Sequence, residues 1–220
     1  MDYYHFVRSE ITPLLPKAPA RILEVGAGAG STLKWLKALN PKTETTAVEL
    51  NSSLLDQLEQ NADVVVIGAI DETISQLKTY DLILLLDVLE HLPDSTATLR
   101  KLSKLLEPEG HVIVSVPNIA HLSVSIPLLT QRRFRYQDAG ILDRTHLRFF
   151  VEDTAVELLN DANLIVTAGL ISGIQGPKTK LLDRLSFGLL RHHLAKQYIM
   201  LGQLNDGKIA QAKVQWKMTQ

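Results

Sequence analysis

Two carboxylates and a run of glycines stand at spacings suited to gripping a nucleoside. Glu24 precedes the turn Gly26-Ala27-Gly28-Ala29-Gly30 by two residues, and Glu49 closes the next strand-like run. A glycine-rich turn between strand and helix offers backbone N–H groups and the positive end of a helix. It also has few Cβ atoms to keep a ligand away from the backbone. An acid at the end of the second strand is placed to accept hydrogen bonds from both hydroxyls of a ribose.

A second set of residues could move a proton. His121 follows an apolar strand-like run by a few residues, and His146 lies among Asp143, Arg144 and Arg148. Either imidazole could serve as general base, with Asp143 orienting a histidine or acting itself. His91 is a third candidate base. No His, Asp and Glu set has ligand spacing on one element, so no metal is expected. Arg132-Arg133-Phe134-Arg135-Tyr136 is the densest positive charge, fit for a phosphate or for a solvated loop.

Apolar runs alternate with helix-period segments, the pattern of a parallel sheet with crossover helices. Strands are predicted at 21–25, 45–48, 64–67, 81–86, 112–116 and 164–170, with last strands at 197–201 and 214–218. Helices are predicted from Ser31, which can cap the first, and over 51–58, 99–106, 153–159 and 178–196. The last is amphipathic, and more readily packed on its own domain than laid on a membrane surface. Residues 119–149 lose the period and read as an inserted cap over the sheet edge. The expected organisation is one domain over 1–220, with the last helix and strands in 178–220.

Glu24-Val25-Gly26-Ala27-Gly28-Ala29-Gly30 resembles the first motif of the class I S-adenosylmethionine-dependent methyltransferases, with Glu49 as their ribose acid. The stretch Asp81 to Pro93, with Leu89-Glu90-His91-Leu92, closely resembles their fourth-strand signature. Ser115-Val116-Pro117-Asn118 and Gly140 to Phe150 extend the likeness to bacterial methyltransferases of the polysaccharide-associated type. The likeness runs over about residues 3–170.

The resemblance implies a doubly wound, mostly parallel, seven-stranded Rossmann-like α/β sheet with S-adenosyl-L-methionine as cofactor. Carried over residue by residue, Glu24, Gly26, Ala27, Gly28, Gly30, Glu49 and Leu50 would hold it. Asp87, Val88 and His91 would line the pocket near its methionine part. One departure stands out. The family often shows Gly-Asp after the third strand, the acid holding the adenine amino group, and here the pair is Gly68-Ala69. Asp71 is the substitute two residues on, and Ile70 could stack on the ring.

The expected activity is methyl transfer to a small-molecule acceptor, most readily at oxygen, with a saccharide as the suggested class. Two other readings compete: a binding module that keeps the pocket without turnover, and a nicotinamide oxidoreductase on a similar sheet. Ser31 in place of the dinucleotide motif's third glycine counts against the latter. A net charge of −1 argues against a nucleic-acid partner. The N-terminus lacks a basic and apolar leader, and the run Leu82 to Leu86 is too short to span a bilayer. The expected setting is the cytoplasm without stable membrane insertion, with self-association left open. The absence of cysteine excludes disulfides and thiolate zinc sites.

Overall fold

The computed structural model describes residues 3–174, 176–205, 207 and 214–219. Its strands are β1 (Arg21–Val25), β2 (Glu44–Glu49), β3 (Val64–Ile67), β4 (Tyr80–Leu86), β5 (Leu106–Pro117), β6 (Leu164–Ser172), β7 (Gln197–Leu204) and β8 (Trp216–Met218). They form one sheet in the order β3-β2-β1-β4-β5-β7-β6-β8. The first five strands run parallel, β7 lies antiparallel between β5 and β6, and β8 adds parallel to β6. The sheet has the eight strands that the predicted runs counted, and not the seven that the resemblance implied. The eighth is a three-residue edge whose indole covers Gly169, where a Cβ would come within 2.5 Å of the Trp216 ring.

The helices are α1 (Ser31–Leu39), α2 (Leu55–Leu58), α3 (Ile70–Thr73), α4 (Ser95–Ser103), α5 (Leu122–Gln131), α6 (Glu152–Asp161), α7 (Pro177–Leu185) and α8 (Arg191–Leu194). The unbroken apolar run of β4 is explained by burial on both faces. Ile83 and Leu85 join Leu99, Leu102 and Leu158 on one side, while Leu82, Leu84 and Leu86 join Ile11, Leu33 and Leu36 on the other. Each such side chain contributes about 1.5–3 kcal/mol of burial, so β4 is the anchor from which the site residues hang.

Three helix expectations need correction. Ser31 is the first helical residue and not the cap, because Gly30 takes the cap position in a left-handed conformation. The helix read over 99–106 begins and ends earlier, since the Asp94 carboxylate accepts from the Ala97 N–H at 3.0 Å and Leu106 already belongs to β5. The helix read over 178–196 is two pieces, α7 and α8, parted where Phe187 and Gly188 both take positive φ.

β1 and β4 are neighbours, with β2 and β3 on one side of them and β5 onward on the other. Open α/β sheets bind ligands at such a reversal, outside the carboxyl ends of the strands. The register pairs Val25 with both Val48 and Leu85, so Gly26, Glu49 and Asp87 all leave the sheet at that edge. The segment over 119–149 starts from the same edge as α5. It folds through a Gln137–Asp143 bridge and returns at Phe150 beside Asn118. The Leu147 and Arg148 N–H groups donate to the Glu90 carbonyl at 2.8 and 3.2 Å, tying the segment to the loop after β4.

Candidate active site

The glycine turn has positive φ at Gly26, Gly28 and Gly30. Its Gly28 N–H donates to Glu49 Oε2 at 2.8 Å, and the Asn51 N–H donates to Oε1 at 2.9 Å. Glu49 is therefore held at the end of β2 by two backbone donors, with a lone pair left on each oxygen for further donors such as ribose hydroxyls. Leu50 beside it is 72% exposed, an apolar surface next to that acid. Ala27 is buried in the turn, and Val88 packs on the other side, where a Cβ on Gly26 would meet its methyl at 2.7 Å.

The space above Gly28 is not open to a ligand. A Cβ there would meet the Tyr4 carbonyl oxygen at 3.0 Å, and that carbonyl accepts from the Ala29 N–H at 2.9 Å. The chain's first described residues cross the turn, so Gly28 makes room for backbone.

Glu24 lies under this crossing segment, 4% exposed, with Oε2 buried and unpartnered. Burial, reinforced by Glu49, pushes its carboxyl up to about 8 against the pull of Arg8 and a hydrogen bond from Thr32. A buried acceptor with nothing to accept is costly. A cationic donor such as an amino-acid ammonium would satisfy it, so this pocket fits the zwitterionic end of an S-adenosylmethionine-like ligand.

Asp87 is a structural junction. It takes φ +59°. Its Oδ2 accepts from Arg8 Nη1 at 2.7 Å, and its Oδ1 accepts from the Ser115 hydroxyl and from Gln197 Nε2, both at 2.7 Å. Burial works against the charge on Arg8, but Asp87 and Glu10 outweigh it and hold the guanidinium above its ordinary value. Sequence reasoning missed Arg8, Ser115 and Gln197 as site residues. Their partner lies 79, 28 and 110 positions away, so no local spacing signals them.

Asp71 does not face the pocket. Its carboxylate pairs with Lys101 Nζ at 2.7 Å and accepts from the Thr98 hydroxyl at 2.9 Å. The hydrogen bond from Lys101 does most to lower its pKa. The substitute for an adenine-holding acid is thus committed to α4. Ile70 is buried in the core cluster with Val25 and Val48.

The residues proposed for proton transfer divide. His121 caps α5: its Nδ1 accepts from the Ser123 N–H at 3.1 Å and meets the Ser123 hydroxyl at 2.8 Å. Burial and Lys196 lower its pKa. His146 is buried, its Nδ1 3.1 Å from the Ile141 carbonyl and its ring 4.8 Å from that of His91. Burial lowers its pKa, with the Ile141 contact opposing. The Asp143 carbonyl accepts from the His146 backbone N–H at 3.1 Å, but its carboxylate makes no hydrogen bond to the His146 ring. That carboxylate accepts from the Thr145 N–H at 2.8 Å and hydroxyl at 2.7 Å, and Thr145 in turn sits against His91 Nδ1, with the hydroxyl at 3.1 Å.

Glu90 completes this group. It is 1% exposed, its Oε2 has no partner, and burial with Asp87 nearby raises its pKa well above the ordinary carboxylate value. Glu90, His91 and His146 each offer a ligand atom within 4.8 Å of the others. The expectation of no metal rested on single elements, whereas this group is assembled from two segments 55 residues apart. Rings lead outward from it: His146 to Phe149 at 6.4 Å, Phe149 to Phe134 at 5.8 Å, and Phe134 to Tyr136 at 5.6 Å. A broad groove of about 880 Å³ lined by Glu152, His192, Tyr198 and Val214 shares no residue with either half of this site.

A family model described as a methyltransferase domain matches residues 2–168. A methyltransferase of Strobilurus tenacellus is 28% identical over 109 residues, which are 50% of this chain and 40% of that protein. The ubiquinone biosynthesis O-methyltransferase of Xanthomonas oryzae pv. oryzae (strain PXO99A) is 31% identical over 115 residues, 49% of this chain and 47% of that protein. The chain thus spans less than half the length of these curated relatives. In structure, a SAM-dependent methyltransferase from Archaeoglobus fulgidus superposes with TM-score 0.58 at 17% identity, covering 89% of this chain and 90% of that one. An O-methyltransferase of a Brevibacillus brevis polyketide multienzyme, solved with S-adenosyl-L-homocysteine, gives TM-score 0.58 at 14% identity, covering 90% and 71%. At these identities the likeness is one of fold.

Proposed function

We propose, on the premise that the chain belongs to the methyltransferase-domain family, that it transfers a methyl group from S-adenosyl-L-methionine to a hydroxyl of a small-molecule acceptor. The observation that carries this reading is the buried, unpartnered Glu24 oxygen beside the glycine turn and Glu49, joined through Val88 to a second unsatisfied acid, Glu90. One end fits a ligand bearing ribose and ammonium, and the other fits a group that must give up a proton.

When bound, the cofactor supplies a sulfonium methyl: the acceptor oxygen forms the new carbon–oxygen bond, the carbon–sulfur bond breaks with its electron pair on sulfur, and the acceptor's proton leaves. The chain's task is alignment, which alone supplies several kcal/mol. Glu49 and the turn fix the ribose end, and Glu24 the ammonium. The acceptor approaches along Phe134, Tyr136 and Phe149 to the Glu90–His91–His146 end, so a ring-shaped acceptor suits it, a saccharide among them. The 119–149 segment acts as the cap that selects it. Of the sequence-proposed groups, His146 faces the acceptor, Asp143 acts behind His91 through Thr145, and His121 holds α5. The O-methyltransferase relative supports oxygen as the accepting atom. All 220 residues are read as one cytoplasmic methyltransferase unit. Among the described residues no helix is long and apolar enough to cross a membrane.

The test is calorimetry with S-adenosyl-L-homocysteine, followed by a screen of phenolic and saccharide acceptors read by S-adenosyl-L-homocysteine release. Binding and turnover are expected, with turnover lost in His146→Ala while cofactor affinity is kept. Binding without turnover on any acceptor would favour the module reading, and no binding would end both.

A further inference from the structure

Glu90, His91 and His146 are arranged more strictly than a proton relay requires. A proton on His146 Nδ1 is directed at the Ile141 carbonyl, and one on His91 Nδ1 at the Thr145 carbonyl and hydroxyl, at 3.1 Å for Ile141 and at 3.3 and 3.1 Å for Thr145. The Thr145 hydroxyl donates to Asp143, which leaves it an acceptor for His91. Both rings therefore carry their proton on Nδ1 and keep the Nε2 lone pair for another partner. Histidines that bind metals are held in this way, by a backbone or carboxylate acceptor behind the ring. Both acceptors lie in one turn, Ile141 to Thr145, which is tied to Glu90 by the Leu147 and Arg148 N–H groups.

The third member is an independent sign of a missing partner. Glu90 is 1% exposed, and its Oε2 has no hydrogen-bond donor although two imidazoles stand beside it. With their protons on the far nitrogens, neither ring donates to it. One possible ligand atom of each of the three side chains lies within 4.8 Å of the others, and a cation among them would satisfy the buried carboxylate that is otherwise left uncompensated.

We infer that Glu90, His91 and His146 form a three-ligand site for a divalent first-row transition ion, such as Mn²⁺, Co²⁺ or Zn²⁺. Two imidazoles and one carboxylate suit these ions better than Mg²⁺ or Ca²⁺, which favour oxygen ligands and retained water. Three protein ligands leave coordination positions open, the mark of a site that also binds a reactant. The ion's role rests on the proposed function: it holds the acceptor's hydroxyl oxygen at the inner end of the aromatic approach and eases loss of its proton to solvent.

The full chain, stripped with chelator and titrated with Co²⁺ in the absence of cofactor and acceptor, should bind one equivalent. It should also develop the visible absorption of Co²⁺ in mixed nitrogen and oxygen coordination. Glu90→Gln and His146→Ala should each weaken binding at least tenfold, while His111→Asn, six residues back from the end of β5, leaves it unchanged. Equal Mg²⁺ should not compete. Should either ligand variant fail to unfold cooperatively, Thr145→Val removes only the hydroxyl behind His91 and should still weaken binding about tenfold. Absence of stoichiometric binding, unchanged affinity in the folded variants, or competition by equal Mg²⁺ would overturn the site. Co²⁺ binding without S-adenosyl-L-homocysteine binding would keep the ion site and reject the proposed function, and the converse would do the reverse.

Discussion

Glu24 links the folded state to pH in an unusual direction. Its carboxyl is pushed from an ordinary 4.5 up to about 8, chiefly by burial. Between those values the folded protein holds a proton that the unfolded chain has lost. Its contribution to stability therefore falls as pH rises through this window and levels off above about 8. At about 1.4 kcal/mol for each tenfold change, the interval corresponds to a ceiling of about 5 kcal/mol. Glu24→Gln keeps an acceptor for Thr32 and removes the charge. Urea unfolding between about pH 5 and about pH 9 should show the parent losing stability relative to this variant by several kcal/mol as pH rises. S-adenosyl-L-homocysteine should remove most of that difference, because its ammonium partners the ionised carboxylate. Binding should accordingly tighten with pH up to about 8 and release a proton, read as a buffer-dependent heat. A parallel pH profile in parent and variant would refute the buried-acid argument. A difference untouched by ligand would refute Glu24 as the ammonium partner.

Arg8→Met should cost about 3–5 kcal/mol in urea unfolding, because it leaves Asp87 without its cation in a largely buried junction. Gly28→Ala should destabilise by about 1–3 kcal/mol, since φ is +55° and the new methyl meets Tyr4 backbone at 3.0 Å. Faster proteolysis ahead of residue 9 would locate that damage in the crossing segment. Asp71→Asn should leave S-adenosyl-L-homocysteine affinity within about twofold and cost under about 1 kcal/mol, as its partners are α4 residues at a half-exposed surface; a large affinity loss in calorimetry would restore it to the pocket.

The parts legible in sequence are those whose causes are local. β1, the glycine turn and Glu49 form a strand–turn–helix–strand unit in which each residue's conformation follows from near neighbours. The apolar run of β4 could be read because burial on both faces leaves no polar position. Asp71 could not be placed, because its direction is decided by Thr98 and Lys101, some thirty residues away. The gathering of Glu90 and His91 with His146 depends on how the 119–149 segment folds back, and that segment has no period to read. The break between α7 and α8 turns on positive φ at Phe187, a residue type that rarely signals it. The last strand was legible as the run 214–218, and the structure narrows it to Trp216–Met218, where Trp216 over Gly169 explains its place at the edge.

The junction at Asp87 has a consequence for how the protein is made. Its partners Arg8 and Ser115 are joined before the chain is half finished or just after, but Gln197 is added 110 residues later than Asp87. At about 5–20 residues per second, the ribosome takes about 5–20 s to cover that distance. During this interval β1 to β5 can pair, yet the far edge of β5 still awaits β7. An open parallel-sheet edge of apolar residues such as Val112, Ile113 and Val114 invites pairing with other chains. Slow codons placed between β5 and β7 should therefore lower soluble yield more than the same codons placed between β1 and β2. The order of synthesis makes β7 both the strand that fills the gap between β5 and β6 and the final support of the residue after β4.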